Sequence, residues 1–122
     1  MKNSSFDPVP FFRELGGLHD SEIHHLTWDA AAGAIKLDLD DLNANFDGLP
    51  EYQGKRRGAI VFAKVENILW NCDAIKGDVQ RIYKLVMRKK DDSEKYELML
   101  RISPSGQLSF DCESVEIIDL PG

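Results

Sequence analysis

The chain has 122 residues, a formal net charge of −6, 43% hydrophobic residues and 30% charged ones. That is the length of one domain, residues 1–122, with enough chain to bury a core without staples. No apolar run approaches the ~20 residues of a membrane span, and an acidic chain repels phosphate backbones, so neither a membrane nor a nucleic acid is an expected partner.

No apolar stretch follows residues 1–5, so a secretory leader is not expected. Cys72 and Cys112 lack metal-type spacing and read as two buried thiols in a reducing cytoplasm. The charge is uneven. Residues 19–53 hold eight acids and one lysine, residues 54–101 twelve bases and seven acids, and residues 102–122 four acids and no base. Asymmetry of this kind suits steering towards a basic partner.

In chain order, Asp7 before Pro8 is a helix start, with Asp7 as N-cap, Pro8 in the first helical position and Phe6 placed to staple onto Phe11. Phe11, Phe12 and Leu15 form a small apolar face. Gly16-Gly17 end the helix, because glycine takes the left-handed conformation cheaply. A helix of roughly two to three turns would not persist alone, so it is predicted to dock on a sheet.

His19-Asp20-Ser21 comes next, and all three histidines lie within residues 19–25. Neighbouring side chains of an extended chain point opposite ways, so these three cannot converge as a catalytic triad. The stretch reads as a turn. Asp20 is expected to accept a backbone hydrogen bond two residues on, and His19 to hold the glycine turn through its ring N–H. His19, Asp20, Glu22, His24 and His25 are metal-ligand types, but His24 and His25 face opposite ways and no second cluster completes a zinc set.

Residues 22–29 and 34–41 are predicted to form a hairpin around Ala30-Ala31-Ala32-Gly33. Ile35, Leu37 and Leu39 point inward there, and Lys36, Asp38 and Asp40 outward. Residues 42–57 carry dense turn chemistry at a length that favours a functional or mobile loop. Asn43, Asn45 and Asp47 have the spacing of half a calcium loop, but Gly54 stands where the closing Glu belongs. Asp38, Asp40, Asp41, Asp47 and Glu51 form a stretch free of bases, the candidate partner-binding surface. Lys55-Arg56-Arg57 is expected to pair with it.

Residues 58–71 read as a central strand, or one interrupted by a bulge near Glu66-Asn67. Residues 79–90, 94–103 and 107–119 read as three more strands, joined by turns at 90–93 and 104–106. Trp28, Tyr52 and Trp70 are candidates for pocket lining, with core or interface packing as the plainer role. The fold class is α+β, mainly antiparallel β: one short N-terminal helix, then about six strands in a curved sheet, as a sandwich or partial barrel.

Leu18-His19-Asp20-Ser21-Glu22-Ile23, then Leu26-Thr27-Trp28, Ile35-Lys36-Leu37-Asp38-Leu39 and Ile60-Val61-Phe62-Ala63-Lys64-Val65 resemble a class of small bacterial domains. These begin with a Leu-His-Asp-Ser turn feeding a β-hairpin. Several such families are uncharacterised, and some are described as immunity proteins of polymorphic-toxin systems. The resemblance covers about residues 18–70. It implies a cytoplasmic bacterial protein with an antiparallel β fold and no demonstrated catalysis, and it transfers no functional residue.

The expected function is a non-catalytic protein-binding module of immunity type, without cofactor or metal, that neutralises a bacterial toxin. Its expected partner is a basic protein such as a toxin domain. Two alternatives stay open. One is a small enzyme or a ligand- or metal-binding domain using residues 19–25. The other is a structural homodimer built through a sheet edge.

Overall fold

The computed structural model describes residues 7–71, 80–91, 93–103 and 106–121. Helix α1 spans Pro8–Glu14. Its Asp7 cap accepts the Val9 N–H at 3.0 Å, and Pro8 opens the first turn. Phe6 lies outside the described residues. Phe12 is buried against Phe62, with ring centroids 6.4 Å apart. The helix ends at Gly16 and Gly17, both left-handed at φ 67° and 66°. These two open a short 3-10 turn, Gly16–Leu18.

Among the described residues eight strands follow: β1 (Ile23–Asp29), β2 (Ala34–Leu39), β3 (Gly58–Ala63), β4 (Glu66–Asn71), β5 (Arg81–Lys89), β6 (Tyr96–Ser103), β7 (Gln107–Cys112) and β8 (Ser114–Asp119). They form two antiparallel sheets of four, in the orders β1-β2-β3-β8 and β4-β7-β6-β5. The sheets are not closed. This is consistent with a sandwich, and a barrel is not shown.

The strand count exceeds the six expected because two predicted strands each supply a pair. The run 58–71 becomes β3 and β4, and the run 107–119 becomes β7 and β8. β3 pairs with β8 in one sheet, and their continuations β4 and β7 pair in the other. One long ribbon therefore turns a corner and contributes to both sheets. Left-handed Lys64 (φ 54°) marks the turn, with Glu113 N–H on the Ala63 carbonyl at 3.0 Å and Val65 N–H on the Gly33 carbonyl at 2.9 Å. The expected irregularity near Glu66-Asn67 is present as a register shift with Asn67 at φ 56°.

The core lies between the sheets. Ile35, Leu37 and Leu39 alternate inward from β2 as predicted, and meet Ile60 and Phe62 of β3. Leu98, Leu100, Ile102, Leu108 and Phe110 come from β6 and β7. Phe62 and Phe110 contact edge to face at 5.2 Å, joining the two layers. Trp28 and Trp70 pair across their ladders with buried Ile35 and Leu108, so both belong to core-facing rows. They stack at 5.8 Å, each a third or more exposed, where the ends of β1 and β4 meet.

Candidate functional site

The stretch from Gly17 to Ile23 ties the first sheet to β5 by main chain. Asp20 N–H donates to the Ile82 carbonyl, Ile82 N–H to the Ser21 carbonyl, and Ile23 N–H to the Gln80 carbonyl, at 2.8 to 2.9 Å. Gly17 packs so closely on β5 that a Cβ there would sit 2.9 Å from the Leu85 carbonyl oxygen. Ser21 is wholly buried, and its hydroxyl donates to the Asp41 carbonyl.

Asp20 takes a different part from the one expected. Its backbone is left-handed, φ 71°, a conformation Asp tolerates better than most residues. Its exposed carboxylate lies 3.4 Å from His19 Nδ1. The carboxylate that accepts a backbone N–H here is Asp40, from Glu22 at 2.8 Å. The His19 ring is not on the glycine turn. It meets Asp20 and the edge of Tyr83, 6.0 Å between centroids. Beside it a groove of about 450 Å³ runs between the helix and β5, lined by Val9, Arg13, His19, Asn45, Tyr83 and Val86 among others.

The acidic stretch divides by burial. Asp41 is 6% exposed and organises the whole loop. Its Oδ1 accepts the N–H groups of Asn43 and Arg56, both at 2.9 Å, and its Oδ2 accepts the Tyr52 hydroxyl at 2.6 Å. That hydrogen bond to a carboxylate, with burial and further acids adding, pushes the Tyr52 pKa up to about 12. Leu42 N–H on the Arg56 carbonyl and Asn43 Nδ2 on the Gly54 carbonyl close the ends, giving a compact Ω-type loop.

Asp38 stands on the outer face of β2 but is only 14% exposed, 3.6 Å from both His25 Nδ1 and Arg57 Nη2. Its Oδ1 and the Arg57 Nε are buried without a hydrogen-bond partner among the described residues. Arg56 pairs with Asp119 at 2.8 Å, so the basic triplet reaches beyond the acidic loop. Of the five candidate carboxylates only Asp47 and Glu51 are exposed. Among the described residues no group of three His, Cys, Asp or Glu side chains is placed to hold a metal ion.

Register exposes a surface that alternation alone did not reveal. On the outer face of the second sheet Leu69, Ser109, Met99 and Val86 stand in one row across β4, β7, β6 and β5. Leu69 is 72% exposed and Val86 40%. The next row is Asn71, Gln107, Arg101 and Lys84. Arg101 and Lys84 are exposed and directly opposite, with no ion pair to either among the described residues. Like charges so placed destabilise a ladder.

On the other flank Arg88 pairs with Glu97, and Asp111 takes Lys90 and Asn67 at 2.8 and 2.7 Å. Burial works against the Asp111 carboxylate, but these hydrogen bonds outweigh it and hold its pKa below the ordinary value. Cys112 is fully buried in the core, and that burial, with Asp111 adding, pushes its thiol pKa up to about 12. Cys72 lies outside the described residues.

No family model and no curated protein matches the chain. Among solved structures it is similar to an uncharacterized protein from Neisseria gonorrhoeae, with a TM-score of 0.51 over 81% of this chain and 90% of that one. At 11% identity the likeness concerns the fold alone.

Proposed function

We propose that this chain is a non-catalytic protein-binding module of immunity type, acting in a bacterial cytoplasm. The observation that supports this best is the outer face of the second sheet. Leu69, Met99 and Val86, from three of its four strands, align with Ser109 in one row, with Leu69 and Val86 exposed, beside a polar row whose Arg101 and Lys84 have no ion pair among the described residues. Apolar side chains aligned on a rigid sheet, rimmed by polar groups, match the anatomy of a protein interface. Asp38, Asp40 and Asp41 are engaged within the chain, so the basic-partner expectation rests on Asp47 and Glu51 alone.

The test is co-purification from the source bacterium with tagged wild type and with the double variant Leu69→Asp, Val86→Asp. A protein retained by wild type and lost by the folded variant supports the reading. Identical co-purifying proteins for both would overturn this face as the site.

A second reading, a ligand-binding domain using residues 19–25, is favoured by the groove beside His19 and Tyr83. Residue-specific NMR shifts of His19 and Tyr83 on titration with a small-molecule library would select it.

A further inference from the structure

The two sheets have four edge strands, β1, β8, β4 and β5, and an unpaired edge is a template for another strand unless something blunts it. Three of the four are blunted. β1 has a register shift between Ile23 and His25, its start is bridged to β5 through Glu22 and Arg81, and its end stacks Trp28 on Trp70. β4 is bent by left-handed Asn67 within its own register shift. β5 is shifted at Tyr83, bonded to Asp20 and Ser21, and overlaid by Gly17.

β8 differs. Its six residues, Ser114 to Asp119, pair with β3 without a shift. They contain no Gly, Pro or Lys. Among the described residues no backbone hydrogen bond reaches its far side. Leu120 N–H bonds the Arg57 carbonyl at 3.0 Å, which fixes the phase of the ladder. By the alternation of an antiparallel pair, Ser114, Glu116 and Ile118 turn their N–H and C=O groups towards β3. Val115, Ile117 and Asp119 turn theirs away, towards open edge.

We infer that this edge is a self-association site, where β8 of a second copy pairs antiparallel and the two first sheets become one continuous sheet about a two-fold axis. The occupant follows from the strand itself. Main-chain groups in a row demand a strand, and residues that face each other across a ladder must share a face of the sheet. With Ile117 on the axis, Ile117 meets Ile117 of the second copy, Val115 meets Asp119, and Glu116 meets Ile118.

The register with Glu116 on the axis would set two glutamates against each other, which is unfavourable. The remaining acids are already answered, since Asp119 pairs with Arg56 and Glu113 with Lys64. Val115 and Ile117 are half-buried against the core, and the second strand would cover what remains.

The test is sedimentation velocity of the full chain across the micromolar range, with wild type and Ile117→Pro. Proline at 117 removes an N–H that faces away from β3, so the internal ladder keeps its bonds. The expected result is a wild-type dimer whose fraction rises with concentration and with salt, and a monomeric Ile117→Pro. Amide hydrogen exchange of wild type decides the matter even where the variant fails to fold. At dimer concentrations the amides of Val115, Ile117 and Asp119 should become protected. Those of Ser114, Glu116 and Ile118 should be protected at every concentration. A wild-type monomer throughout the range overturns the inference. So does a dimer whose Val115, Ile117 and Asp119 amides still exchange fast, because the contact then lies elsewhere.

Discussion

Replacing Asp41 should destabilise the fold through the loop that follows β2. Its carboxylate is buried and accepts three hydrogen bonds, from Asn43 N–H, Arg56 N–H and the Tyr52 hydroxyl. A hydrogen bond to a charged group contributes about 1.5–3 kcal/mol, and removing the acceptor strands buried donors as well. The three bonds converge on one group and do not add, so Asp41→Ala should cost about 4 kcal/mol. Asp41→Asn keeps an oxygen for the two amides and can reorient its NH₂ towards Tyr52, so about 2 kcal/mol is expected. Asp47→Lys and Glu51→Lys, on exposed positions, should stay within about 0.5 kcal/mol of wild type. Urea titration followed by Trp28 and Trp70 fluorescence gives these values, with an unchanged m-value confirming that only stability moved. An Asp41→Ala variant within about 1 kcal/mol of wild type would refute the reasoning.

Gly17 and Gly33 share a φ of 66°, but a Cβ meets the Leu85 carbonyl at one and open space at the other. Gly33→Ala should cost about 1 kcal/mol by conformation alone and Gly17→Ala at least twice that by thermal denaturation; equal costs would deny the close approach. With Cys72 replaced by Ser, Cys112 should react with a thiol reagent only as fast as the protein opens, and rapidly in denaturant. Tyr52 titrates near 12 in the folded chain against 10 unfolded. Its contribution to stability is therefore whole below about pH 10 and lost as pH rises through 12, and Tyr52→Phe should delete a phenolate absorbance step near pH 12.

Much of the fold was legible because its signals are local. The Asp7 cap, the Gly16-Gly17 stop, the hairpin around Gly33 and the inward alternation of Ile35, Leu37 and Leu39 each depend on a few neighbouring residues. The corners were not legible. Nothing in the apolar run through Val65 says that the chain changes sheets there, because residues of both sheets face one core. The acidic stretch misled for a related reason. A count of carboxylates records charge but not burial, and only the fold brings Arg56 N–H and Tyr52 to Asp41, and Arg57 to Asp38. Ser21, the most buried polar residue of the turn, drew attention as a triad type; its partner, the Asp41 carbonyl, is twenty residues away. The apolar row on the second sheet was hidden because Leu69, Met99 and Val86 come from three strands and align only once register is known.

The edges bring these two kinds of information together. At β5 the blunting device is Gly17, read as part of a helix stop and acting also as a close cover on the strand at Leu85. At β4 it is Asn67, a residue that takes the left-handed bend readily. At β1 it is the tryptophan pair, whose members are 42 residues apart in sequence and meet only through the corner at Lys64. Each device has a local cause and a distant target. β8 has no such residue. Six residues without glycine, proline or lysine form an unbroken ladder with β3 and present alternate main-chain groups outward. A chain that blunts three edges by three different means and leaves the fourth straight has kept that edge in the form another strand requires.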